Sequence, residues 1–199
     1  MTRKKKWNGG SVCLAAGICL VVVAAALLIS WQWGISRAAE NAVAYTKTLR
    51  TLMPDPQGAV LEERSDNTMA VVSLEGEDFA GILEMPRYGS ALPVCADWGK
   101  PSTYPCIFGG SLYDGSLAIG AAAQKGQYDF YREISVGDSV FFTDMEGNRY
   151  AFEVTDLRYE RHADQDTLRR REAALTLFIK NVYGMEYIIV SCGPAADRK

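Results

Sequence analysis

The stretch from Ser11 to Trp33 is the most constraining feature of this chain, because it is apolar and carries no charge between Val12 and Ile29. About 20 such residues, rising ~1.5 Å each, are enough to cross the hydrocarbon core of a bilayer as a helix. Trp31 and Trp33 bound the run, where indole rings favour the membrane–water interface. Arg3, Lys4, Lys5 and Lys6 precede it, and the positive-inside rule then keeps the N-terminus in the cytoplasm. A cleaved signal peptide has a shorter apolar core and a small-x-small cleavage site, of which Ser36-Arg37-Ala38 is a poor version. The expectation is a basic cytoplasmic tail over 1–10, an uncleaved single-pass signal anchor over 11–33, and an extracytoplasmic remainder.

Charge follows the same division. Of 21 Lys and Arg, five lie in residues 1–37 with no acid among them, which leaves 16 cations against 24 acids beyond, a balance of −8. An acidic outer part argues against a nucleic-acid partner, since phosphate binding needs clustered Lys and Arg. With 199 residues, there is room for one core of about 100–150 residues plus an appendage.

Residues 36–53 repeat Ala38, Ala39, Ala42, Val43, Tyr45, Leu49 and Leu52 at near-helical spacing, and Pro54-Asp55-Pro56-Gln57-Gly58 ends the pattern. The region 34–69 is read as a helical stalk or linker, the alternative being a first helix packed on the domain. From about residue 70 short Val-, Ile-, Phe- and Tyr-rich runs alternate with turn residues. Predicted strands are 69–74, 81–85, 117–119, 139–143, 149–157, 174–179 and 187–191. Glu146-Gly147-Asn148 is a hairpin turn and 129–133 a short helical turn. So many short strands in 70–199 predict an all-β closed barrel or sandwich behind one transmembrane helix.

Several segments, in order, resemble one family. Residues 172–192 resemble the end of a sortase, the Gram-positive transpeptidases that join surface proteins to the cell wall or to pilins. Their nucleophile closes a strand written Thr-Leu-x-Thr-Cys, with an Arg further along. Thr176, Leu177 and Phe178 match; Ile179 stands in the second Thr slot, Lys180 in the Cys slot and Tyr187 in the Arg slot. Gly81-Ile82-Leu83-Glu84-Met85-Pro86 resembles the opening strand, and Leu92-Pro93-Val94 with Trp98 the next. Pro105-Cys106, Gly110-Ser111 and Tyr113 resemble clostridial-type, class D-like members. Tyr128 to Asp138 and Phe142 to Tyr150 continue the match. The family His closes Ile-Ala-Gly-His-Asn. Here Ile119-Gly120-Ala121-Ala122-Ala123 stands there, with Ala122 in the His slot, or Ala121 if the glycines are aligned. The resemblance implies an eight-stranded sortase barrel with a cleft at Ala122, Lys180 and Tyr187.

Those replacements remove the usual chemistry. Acyl transfer by a sortase needs a thiolate nucleophile, a proton donor for the leaving amine, and a cation for the developing oxyanion. Lysine forms no thioester, alanine transfers no proton, and a tyrosine is uncharged at neutral pH. Two surrogates remain. His162, the single histidine, lies in the connection that borders the cleft in sortases. Cys192 is the alternative nucleophile, although its odd offset from Tyr187 points it to the other face unless a bulge intervenes. Lys180 could hold a peptide carboxylate, act as a pKa-lowered nucleophile, or extend into water. Tyr128, Phe130, Tyr131 and Tyr183 are read as core or cleft lining.

Cys13 and Cys19 are apolar fillers of the anchor, while Cys95, Cys106 and Cys192 allow three disulfide pairings. The resemblance favours Cys106–Cys192. No cysteine–histidine spacing suggests a metal site, and no cofactor is expected. The expected function is that of a membrane-anchored, catalytically inactive sortase relative. It would bind a sorting-signal peptide, a pilin or an active sortase in cell-surface protein or pilus assembly. The competing expectation is an active transpeptidase or peptidase using Cys192.

Overall fold

The computed structural model describes residues 9–62, 68–98, 103–161, 173–181 and 186–195. The chain divides into two compact units, 1–37 and 38–199.

In the first unit, residues from Gly9 on are the leading part of one long α-helix, α1 (Gly9–Leu52). No side chain of its central run is buried in protein; Leu14, Leu20 and Val21 are 69%, 71% and 69% exposed. A helix that is apolar all round needs either a protein interior or a lipid one. Among the described residues it is the one helix long and apolar enough to cross a membrane, which fits a single-pass anchor.

The second unit is a β-barrel. Its strands are β1 (Gln57–Ala59), β2 (Val72–Leu74), β3 (Glu77–Met85), β4 (Ser90–Cys95) and β5 (Cys106–Gly109). They continue with β6 (Leu117–Ala122), β7 (Ser139–Asp144), β8 (Asn148–Glu160), β9 (Leu175–Lys180) and β10 (Tyr187–Pro194). Eight of them close a ring in the order β3-β4-β5-β6-β9-β10-β8-β7, with β7 returning to β3. Closure depends on the length of β8: residues 149–153 pair with β7 and residues 152–160 with β10. β1 and β2 are short additions, β1 parallel to the start of β8 and β2 antiparallel to the start of β3.

The alternation of residues builds the barrel wall. Leu175, Leu177 and Ile179 of β9 point into the lumen with Ile188 and Val190 of β10 and Leu117 and Ile119 of β6. Tyr128 and Phe130 plug the same core, and Tyr131 packs partly buried against it. The β7–β8 hairpin closes on Gly147, whose φ of +85° suits glycine. The buried Asp144 carboxylate holds that turn, accepting from the Glu146 and Asn148 backbone N–H groups at 3.0 and 2.9 Å.

The helical residues from Ala38 to Leu52 belong to the same unit as the barrel, and they pack on it. Ala42, Leu49 and Met53 are buried against Phe79, Ile82, Cys95, Cys106 and Met145, a second apolar layer outside the lumen. Their spacing is that of one helical face. Glu84 of β3 ties the layer at its rim, accepting from Arg50 at 2.5 Å and meeting Arg149 at 3.1 Å. The segment read as a stalk is thus, over its helical part, a covering element of the barrel.

Candidate functional site

Ala122 is the last residue of β6, Lys180 the last of β9, and Tyr187 the first of β10. The parallel ladder between β6 and β9 pairs Ala122 with Lys180, and the antiparallel ladder between β9 and β10 pairs Lys180 with Tyr187. Directly paired residues on neighbouring strands project from the same face. The three positions therefore stand in one row, and the β8–β10 ladder extends it to Glu160.

Period-two alternation fixes which face this is. Since Leu177 and Ile179 enter the lumen, Phe178 and Lys180 lie on the outside of the wall. The next row down reads Gly120, Phe178, Ile189 and Arg158, and the one below Ala118, Thr176, Ser191 and Asp156. Phe178 and Ile189 are nevertheless buried, because Trp98 and Phe108 cover them. The Trp98–Phe178, Phe108–Phe178 and Trp98–Phe108 ring centroids are 5.2, 5.0 and 5.3 Å apart. Trp98 stays 44% exposed, so an apolar wall faces solvent beside the row.

Gly120 makes this possible. A Cβ there would come within 2.1 Å of the Phe178 ring and 2.6 Å of the Trp98 ring. Gln127, buried, then fixes the end of β6. Its side-chain oxygen accepts from the Ala122 backbone N–H at 2.5 Å, and its amide nitrogen donates to the Thr103 carbonyl at 2.8 Å. Ala122 accepts in turn from the Tyr128 N–H at 3.1 Å, and the Ala123 N–H donates to the Lys180 carbonyl at 2.9 Å.

The row offers an exposed ammonium at Lys180, a half-buried phenol at Tyr187, and a half-buried carboxylate at Glu160. Arg158, one row down, is ion-paired with Asp156 at 3.1 Å. Cys106 pairs with Gly120 and so lies on this outer side one row down, but it is 1% exposed in the apolar layer with Leu49 and Phe79; within the row itself, among the described residues, there is neither thiol nor imidazole. Cys192 pairs with Leu175 and packs into the lumen with Val190, 0% exposed. The β8–β10 ladder does contain a bulge between Ser191 and Cys192, but it leaves Cys192 inside. Burial pushes its thiol up to about 12, so it remains protonated at neutral pH. His162 and Tyr183 lie outside the described residues.

The favoured Cys106–Cys192 pairing does not occur. The five cysteines are thiols; Cys106 packs in the outer layer beside Cys95, and Cys192 in the lumen. No cluster of metal-binding side chains is present among the described residues. A separate recess of about 210 Å³, lined by Ala39, Ala42, Tyr88, Gly126 and Asp129, contains none of the row residues.

Sequence reasoning overlooked Phe108, Gln127, Glu160 and Arg158. Strand register brings Glu160 and Arg158 to the site, ring packing brings Phe108, and two side-chain hydrogen bonds bring Gln127. Gly120 itself was the one local signal, since a glycine inside a strand often marks close approach.

No family model and no curated protein matches the sequence. Solved structures do match the fold. Sortase C1 from Streptococcus agalactiae superposes with a TM-score of 0.52 at 14% identity, over 63% of this chain and 72% of that one. Sortase A from Corynebacterium diphtheriae, a lid mutant, gives 0.51 at 15% identity over 60% and 72%. Sortase C-3 from Streptococcus pneumoniae gives 0.51 at 15% identity over 82% and 84%. With an eight-stranded barrel behind an apolar N-terminal helix, this chain has the sortase fold.

Proposed function

We propose that this protein is a membrane-anchored sortase relative whose barrel stands outside the cytoplasm and binds a sorting-signal-type peptide without cleaving it. It would serve cell-surface protein or pilus assembly as an accessory that holds or presents such segments, on a pilin or to an active sortase. The observation that carries the reading is the row itself. Ala122, Lys180 and Tyr187 are in register on three adjacent strands beside an aromatic wall, with no nucleophile or proton donor of the usual kind among them. The wall suits an extended apolar segment, and the Lys180 ammonium suits an acidic or carboxylate group carried by it. What weighs against transpeptidation through Cys192 is its burial and its protonated thiol.

Titration of a fluorescent sorting-signal-type peptide into the full chain in detergent micelles tests this. The expected outcome is saturable binding without product, weakened about twofold to fivefold by Lys180→Ala, the size of one exposed charge contact. Absence of saturable binding by the folded protein would contradict it.

A further inference from the structure

Cys95 ends β4 and Cys106 opens β5, and the parallel ladder between these strands pairs the two directly. They lie in one apolar layer with Phe79, Tyr104 and Met145, 2% and 1% exposed. Paired residues on adjacent strands sit about 4.8 Å apart with side chains on one face. A disulfide spans Cα separations of about 4.4–6.8 Å. The backbone is already closed at this point, since the Cys95 N–H donates to the Pro105 carbonyl at 2.8 Å. The third buried thiol, Cys192, packs with the lumen residues instead.

We propose that Cys95 and Cys106 are a disulfide-forming pair that staples the base of segment 96–105. That segment carries Trp98, whose ring covers Phe178 in the wall beside Lys180. The bridge therefore anchors one side of the cleft without touching its row. It forms while the chain folds, before the layer closes over it. One cysteine thiolate attacks a small-molecule or protein disulfide, R–S–S–R, making a mixed disulfide and releasing one RSH. The second thiolate attacks the cysteine sulfur of that mixed disulfide and releases the other RSH. The two cysteines are oxidised and the donor is reduced. Persistence of the bridge in the cell rests on the extracytoplasmic placement proposed above, because exported proteins keep disulfides and cytosolic ones do not. Its formation in vitro does not depend on that placement.

The test is to refold the full chain in detergent micelles with glutathione and glutathione disulfide, then unfold, alkylate and digest it. Trypsin leaves both cysteines in one peptide, residues 88–125, because Lys100 precedes Pro101. The expected peptide is unalkylated and lighter by two hydrogens, while the peptide holding Cys192 carries one alkyl group. Alkylation of both Cys95 and Cys106, or a bridge from either to Cys192, would overturn the proposal. The oxidised chain should also melt roughly 5–10 °C above the same chain fully reduced before refolding. Equal melting temperatures would overturn the stapling role. Neither readout involves peptide binding, so failure here is distinct from failure of the proposed function.

Discussion

Lys180 stands where its neighbours leave it room: Ala122 on one side offers only a methyl group, and Tyr187 on the other a neutral phenol. A lysine in that setting can attract an anion but supplies no thioester chemistry. The row positions were legible in the sequence through motif resemblance, because each falls at a fixed place in a recognisable strand. Their adjacency was expected only through the resemblance, since the residues alone do not show how strands far apart in the chain pair. Glu160 joins the row only through the β8–β10 ladder. Gly120 carries the most specific test at this scale. Its position admits no Cβ, because the Phe178 and Trp98 rings occupy the space. Gly120→Ala should destabilise the fold by about 1–3 kcal/mol, the usual cost of overpacking. It should also shift Trp98 emission as the ring is displaced. Urea unfolding followed by fluorescence checks both, and unchanged stability with an unchanged spectrum would count against the packed wall.

The longer strands rich in Val, Ile, Leu, Phe or Tyr between turn residues, such as β7, β8, β9 and β10, could be read directly from the sequence. β1 and β5 could not. They have only three and four residues, and β5 (Cys-Ile-Phe-Gly) ends in a glycine that weakens the pattern. Helical periodicity over 36–53 was visible, but a partner for the stripe was not, because the apolar layer it covers comes from β3, β4 and β5. The 3-10 turn at Pro86–Tyr88 shows how an element is fixed from a distance. Asp138 is buried and accepts from Arg87 and Tyr88 at 2.5 Å each and from the Ser135 N–H at 2.9 Å. Burial alone would raise its carboxyl, but the hydrogen bonds from Tyr88, Arg87 and Ser135 outweigh it and hold it below the usual value. A depressed carboxyl contributes stability above its unfolded pKa of about 3.9 and loses it as pH falls through the folded value. Asp138→Asn should therefore cost about 1–3 kcal/mol near pH 7. The gap between variant and parent should narrow as pH falls below about 4, as denaturant melts across pH would show. A gap independent of pH would mean the carboxylate is not what matters.

For the molecule as a whole, the basic N-terminal cluster, the exposed apolar helix and the acidic remainder form one pattern. The proposed placement, with the folded domain across the membrane from the cations, rests on that pattern. N-terminal sequencing of the membrane fraction should find the apolar helix retained. A mature chain beginning near Ala39 or Glu40 would mean that the segment is a cleaved signal. The central proposal is that this barrel of the sortase fold carries in its row none of the groups that acyl transfer uses, and catalytic groups that act as a unit are grossly non-additive. Intact-mass spectrometry of the full chain incubated with a sorting-signal-type peptide measures this directly. The account predicts unmodified protein and uncleaved peptide. A thioester-linked adduct with released product, lost in Cys192→Ala, would contradict it and make Cys192 the nucleophile.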